Sequence, residues 1–356
     1  MTPPLRQNPG TTSTTATARP RWQTWRDERL LRLPMRELKL GLAGTEVEAR
    51  INQLRDELDG NGIAYRPPVW LSDEWFSSPD CPGIAVPFYL AHPRLKRLER
   101  RMMLEVEGGT RRTCMRLLRH ECGHAIQFAY GLHRMRLWRE TFGRHSMPYP
   151  EAYRPKPFSR DFVLHLPGHY AQAHPDEDFA ETFAVWMTPG SDWEHRYRKW
   201  PAIEKLRVVD ELMRRVGATK PTSATRRRDR TLASLTHTLG EHYAERQARY
   251  GLDRPDIYDR DLKRIFPARV EDDPRGPASR ALRRWRGDML KTVGTWTGQY
   301  AYAINNTYDL MIGRAGRLRL RVPDDRAEHD VKQQVAVMLT VQTMHHIQRG
   351  GRWLVV

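Results

Sequence analysis

The chain has 356 residues, of which 39% are hydrophobic, including eleven Trp and thirteen Tyr; that is enough apolar surface for one large domain or two smaller ones, and it excludes a wholly disordered polypeptide. Its 60 Lys and Arg against 43 Asp and Glu leave a net charge of +17, an excess that suits an acidic partner, nucleic acid or an anionic surface and that Arg-rich, solvated helix faces would also produce. No apolar run approaches the roughly 18–20 residues of a membrane span, no signal-type stretch opens the chain, and Cys81, Cys114 and Cys122 make no disulfide framework, so a cytoplasmic protein without membrane attachment is expected.

Residues 1–24, rich in Pro, Thr and Ser, read as a disordered tail. Thr45, Glu46, Val47 and Glu48 form a capping-box pattern that opens a helix to about Leu58, and Asp59, Gly60, Asn61 and Gly62 close it. Residues 63–69 and 83–90 read as short strands, and Pro87 makes the second an edge strand or one that lies open on one side. Helices are predicted over 95–106, stopped by Gly108 and Gly109, and over 111–130, with Gly131 at the C-cap. Residues 141–169, rich in Pro and aromatic side chains, read as an irregular covering segment; helices follow over 175–187, with Pro175 in the first turn, and over 203–216. Residues 219–230 read as a basic linker, and 231–249, 277–292, about 295–313 and 326–348 as helices. The result is a mainly helical α+β chain with a tail over 1–24, a domain over 25–218, a linker over 219–230 and a helical, basic region over 231–356. Residues 219–356 hold ten of the seventeen excess positive charges.

The chemistry concentrates in His120-Glu121-Cys122-Gly123-His124. Helical residues four apart stand on one face about 6 Å from each other, so the two imidazoles can chelate one zinc ion. Glu121, about 100° round the helix, can reach a water on that ion. The alternative is a pair of satisfied structural histidines. The apolar flanks Leu117-Leu118 and Ala125-Ile126 argue that the helix is buried, where a glutamate between two histidines needs a charge partner. Cys122 points about 200° away from both histidines and, like Cys114, reads as a small buried residue. The metzincin pattern is excluded, because Gln127 and Tyr130 stand where it requires Gly and His, and His133 fits no pattern. The third ligand is sought in residues 174–184. There Glu177 and Glu181 are four apart, so one can bind the ion while the other orients a ligand histidine. Alternatively Asp176, Glu177 and Asp178 only complement a helix N-terminus.

HExxH followed by Glu177-Asp178-Phe179-Ala180-Glu181 resembles the gluzincin arrangement of zincin metallopeptidases. Residues from about 70 to 213 resemble a bacterial family of zinc-binding metallopeptidases, through residues 82–94, Leu118-Arg-His-Glu-Cys-Gly-His-Ala125 and residues 170–184. The resemblance implies a zincin-like catalytic domain that hydrolyses peptide bonds in a peptide or protein substrate. It implies one zinc ion, with His120, His124 and Glu177 as ligands, Glu181 behind a ligand histidine and Glu121 as general base. Tyr170 stands seven residues before Glu177, as in the anthrax-lethal-factor type of zincin, which implies a hydroxyl donor to the oxyanion. In zincins an edge strand ahead of this helix pairs with extended substrate, a role open to 83–90 on equal terms with a purely structural one. His169 and His174 flank the segment as caps or as further donors, with the cap favoured.

Two further readings stay open. A DNA-associated protease would hold nucleic acid through Arg226-Arg227-Arg228-Asp229-Arg230, Arg283-Arg284-Trp285-Arg286 and the arginines from Arg314 to Arg321. A non-catalytic interaction protein would use the zinc site structurally. His345 and His346 are adjacent and face different ways on a helix, so no second metal site is expected there.

Overall fold

The computed structural model describes residues 20–103, 105–150, 153, 156, 158–223, 228–249, 258–270 and 273–348. Residues 1–19 of the expected tail lie outside them, but the tail reading fails for its last residues. Arg21–Thr24 form a 3-10 turn, and Trp22 is buried with its indole N–H donating to Leu38 O at 3.1 Å. A side chain that buries so much apolar area and finds a carbonyl for its N–H orders the turn that carries it.

The short helix α1 (Asp27–Leu30) leads to α2 (Glu46–Gly60), where Thr45 Oγ1 accepts from Glu48 N at 3.1 Å and the Glu48 carboxylate accepts from Gly44 N at 2.7 Å. Three strands follow, β1 (Val69–Ser72), β2 (Phe76–Ser78) and β3 (Cys81–Pro87), in the order β1-β3-β2, with β1 parallel and β2 antiparallel to β3. The run expected at an edge is therefore the central strand, buried along its whole length. Pro82 and Pro87 lie at its ends, and proline is excluded from the middle of a ladder, not from its termini. Gly83 admits β1, because a Cβ there would stand 2.7 Å from Pro68 O.

Helices α3 (Pro93–Met103), α4 (Arg111–Ala129) and α5 (Arg136–Phe142) come next. Thr110 caps α4, accepting from Thr113 N at 3.2 Å, and Gly131 leaves it at φ +62°. Residues 143–150 and 158–166 are irregular, as expected, up to a kinked 3-10 element, Pro167–Gln172. Helices α6 (Pro175–Met187), α7 (Trp193–Tyr197) and α8 (Ala202–Val216) complete this half. α4 packs between the sheet and α6, and α2 is tied to it by Arg119, whose Nε and Nη2 donate to the two Glu57 carboxylate oxygens at 2.7 Å each. The fold is thus mainly helical α+β.

The first core does not end at 218. Trp70 Nε1 donates to Asp229 O at 2.8 Å, and Arg230 pairs with Asp73 at 2.6 Å, so the end of the expected linker is fastened to the sheet. Residues 224–227, with Arg226 and Arg227, lie outside the described residues. The helix expected over 231–249 begins only at α9 (Leu239–Arg249), after a 3-10 turn at Leu232–Ser234. Leu239 and Tyr243 belong to the first core, and Arg246 makes a buried 2.8 Å ion pair with Glu99 of α3. A second, all-helical core is built by α10 (Asp259–Ile265), α11 (Ala278–Thr297), α12 (Ala301–Arg317) and α13 (Glu328–Gln348). Several of its arginines are paired: Arg284 meets Glu328 at 2.6 Å, Arg286 meets Asp309, and Arg314 meets Asp259. The His345 and His346 side chains lie outside the described residues. No described helix is long and apolar enough to cross a membrane.

Candidate metal centre

Two small residues bring the site together. A Cβ on Gly123 would stand 2.9 Å from Ala180 Cα and 3.3 Å from Phe183 Cβ, so α4 and α6 approach more closely there than most side chains would permit. One turn from that contact, His120 and His124 of α4 face Glu177 of α6. The closest approaches are His120 Nε2 to Glu177 Oε2 at 3.0 Å, His124 Nε2 to the same oxygen at 3.3 Å, and the two Nε2 atoms to each other at 3.2 Å. All three side chains are buried. Among the described residues this group has three members, with no fourth His, Cys, Asp or Glu completing it.

The triangle fits a zinc ion. Zinc–ligand bonds of about 2.0–2.1 Å in a tetrahedron place neighbouring ligand atoms about 3.3–3.4 Å apart, close to the separations found here. The donor set of two imidazoles and one carboxylate is also that of an open, three-ligand site. Without an ion, burial alone would raise the Glu177 carboxyl, yet His124 and His120 hold it well below the usual carboxylate range. Burial opposes charge on His120, but Glu177 and Glu181 raise it well above the ordinary imidazole value. A cation at the centre of this triangle would replace those protons.

Glu181 stands behind the triangle. His120 Nδ1–H donates to Glu181 Oε1 at 2.9 Å, which fixes the tautomer that leaves Nε2 free for a metal, and Glu181 Oε2 accepts from Leu166 N at 2.7 Å. Glu121 is buried on the cavity side of α4, and burial raises its carboxyl while His120 and His124 pull it down. The Tyr170 ring lies 5.6 Å from the His120 ring and lines the same cavity. His174 is the N-cap of α6, its Nδ1 accepting from Asp176 N at 3.1 Å. His169 sits at φ +57° in the kink before Tyr170. Cys114 and Cys122 are buried in the core as free thiols, and His133 lies outside the ligand group.

Tyr149 is absent from the residues marked by the sequence. Its hydroxyl donates to Glu177 Oε1 at 3.0 Å, from within the Pro- and aromatic-rich covering segment. Composition was the one signal there, and it does not single out a residue.

The centre opens on a cavity of about 770 Å³. Its wall includes β2, the 105–108 loop and, from the second core, Leu290, Lys291, Gly298 and Tyr300. Beside this loop the Tyr300 hydroxyl donates to Glu107 Oε1 at 3.2 Å, and Ala301 N donates to Glu105 Oε2 at 3.3 Å. The expected pairing of substrate with residues 83–90 meets an obstacle, since β3 has a strand on either side.

A second convergence, Asp73, His237 and His242, differs in its charge. Asp73 already carries Arg230 at 2.6 Å and accepts from Ser72 Oγ at 2.9 Å, so its charge is compensated without an ion.

Residues 92–194 match the sequence model of a family described as "Putative zinc-binding metallo-peptidase"; the match holds both histidines, Glu121, Tyr149, Tyr170, Glu177 and Glu181. No curated protein and no solved structure matches the chain.

Proposed function

From the match of residues 92–194 to a family of zinc-binding metallopeptidases, we propose that the chain is a zinc-dependent hydrolase of peptide bonds. The observation that carries this reading is the buried triangle of His120, His124 and Glu177, with no fourth protein ligand among the described residues and with a cavity in front of it. A structural zinc site is closed by four protein ligands, whereas a catalytic one keeps a position open.

His120, His124 and Glu177 would hold the ion. Zinc bound there supplies electrophilic polarisation of a carbonyl and makes an attacking water acidic near neutral pH. Glu121 accepts that water's proton on a carboxylate oxygen and returns it to the leaving amine nitrogen. Burial suits it to this exchange, since a carboxylate removed from water is a stronger base. Tyr170 directs its hydroxyl to the substrate carbonyl oxygen as negative charge develops there. Burial, followed by the Glu177 charge, raises the Tyr170 phenol well above its ordinary value, so it stays a donor. Glu181 keeps the His120 imidazole in the tautomer that offers Nε2.

Metal content and hydrolysis of a peptide library test the reading together. Wild-type protein is expected to hold one zinc per chain and to cleave. Glu121→Gln should keep the zinc and lose about 10²–10⁴ in kcat. A zinc-loaded wild type that cleaves nothing, or a Glu121→Gln variant as active as wild type, would overturn it.

A further inference from the structure

The covering segment crosses the first turn of α6 in three successive contacts made by alternate residues. His145 Nδ1 meets Asp176 Oδ2 at 2.8 Å, Met147 O accepts from His174 Nε2 at 2.8 Å, and the Tyr149 hydroxyl donates to Glu177 Oε1 at 3.0 Å. The middle contact fixes a tautomer. His174 Nδ1 accepts from Asp176 N, so the ring proton is on Nε2 and points at Met147 O. The His174 ring is thereby held by a backbone group at each end, and the Tyr149 ring stacks on its face at 3.8 Å between centroids and 15° between planes. With that stack in place, the phenol is aimed at one oxygen of Glu177.

Glu177 consequently has two unlike oxygens. Oε2 faces both imidazoles, at 3.0 and 3.3 Å, and Oε1 faces Tyr149. A carboxylate with both oxygens free can bind a cation through one or through both, and binding through both fills a coordination position. One hydrogen bond to the outer oxygen decides between the two modes.

We propose that Tyr149 is a positioning residue, which holds Glu177 as a one-oxygen ligand and so keeps the fourth position of the centre open. The proposal rests on the zinc reading given above. It makes zinc affinity and coordination number depend on a side chain that touches neither the ion nor the imidazoles. It also gives the covering segment a task, since the clamp at His174 sets where the phenol points. Tyr149 is 43% exposed and lines the cavity, so the fold does not require its hydroxyl for burial.

Two substitutions separate the hydroxyl from the ring. Tyr149→Phe keeps the stack on His174 and removes the donor, and Tyr149→Leu removes both. Zinc affinity is measured by competition with a chelator, and the visible spectrum is recorded after replacing zinc by cobalt, whose absorption intensity reports coordination number. The expected result is a loss of about 10- to 100-fold in zinc affinity for both variants, with weaker cobalt bands as coordination rises above four. If Tyr149→Phe binds zinc as wild type does, with an unchanged cobalt spectrum, while Tyr149→Leu is impaired, the ring packs and the hydroxyl positions nothing. If wild type itself takes up no zinc, the metal reading falls, and this inference with it.

Discussion

Replacing Gly123 by Ala tests the contact that brings α4 and α6 together. Inside a helix, Gly→Ala alone is worth about 1 kcal/mol of stabilisation. At Gly123 the added Cβ would lie 2.9 Å from Ala180 Cα, 3.2 Å from Ala180 O and 3.3 Å from Phe183 Cβ. Carbon atoms rest at about 3.5–4.0 Å, and two of these neighbours are backbone, so the helices must part by roughly 0.6–1 Å. Overpacking of this kind costs about 1–3 kcal/mol, which exceeds the propensity gain and leaves a net loss of up to about 2 kcal/mol. The same displacement carries Glu177 away from His120 and His124, now 3.0 and 3.3 Å from its Oε2, and so stretches the triangle. Thermal unfolding with and without a chelator, together with zinc affinity, reads both effects. Gly313, on the exposed side of α12, is the control: a Cβ there would meet nothing within 4 Å, and Gly313→Ala should stabilise by about 0.5–1 kcal/mol. A Gly123→Ala protein that melts higher, as the control should, and keeps its zinc would refute the reasoning.

Arg119→Ala should lose about 3–5 kcal/mol of stability in denaturant unfolding, because it strands the buried Glu57 carboxylate; joint replacement by Arg119→Met and Glu57→Leu should recover much of that loss. Burial raises Glu105 to about 7, and burial together with Glu105 raises Glu107 to about 7. Carboxyls raised on folding cost stability as pH climbs from the ordinary carboxylate range through about 7, so the melting temperature should fall between pH 5 and pH 8. The pair should contribute on the order of 1 kcal/mol per carboxyl after allowance for partial exposure, and Glu105→Gln with Glu107→Gln should flatten that part of the profile.

Local signals made much of the site legible. Gly131 marks the end of α4 and Pro175 the start of α6, and each acts within a turn of its own position. The four-residue spacings of His120 with His124 and of Glu177 with Glu181 put the right atoms on one face of each helix before any tertiary contact is known. What sequence could not provide was long-range. Pro87 suggested an edge strand, but which strands flank β3 is decided by β1 and β2, and β2 has three residues, too few for a periodic signal. The stretch 228–230 has linker composition, yet it is held by contacts to Trp70, Ser72 and Asp73, more than 150 positions away. Tyr149 is one of several aromatics in an irregular stretch, and its meaning comes from two tertiary contacts, the stack on His174 and the hydrogen bond to Glu177 Oε1.

Charge and sequence position suggest a catalytic half followed by a basic half, but the contacts cut across that division. Arg230 and Arg246, both beyond residue 218, pair with Asp73 and Glu99 of the first core, and α9 packs on α3. The turn between α11 and α12 then touches the loops that lead into α4 and α6. Tyr300 and Ala301 hold Glu107 and Glu105, a few residues before α4 begins, and Gly298 stands so close to Gly168 that a Cβ there would lie 3.0 Å from Gly168 N, two residues before Tyr170. At φ +68°, Gly298 also has a backbone conformation that other residues seldom adopt, so this approach is doubly specified. One turn of the second unit therefore bears on the loop entering α4 and on the loop carrying Tyr170. A molecule filling the cavity would touch both units at once.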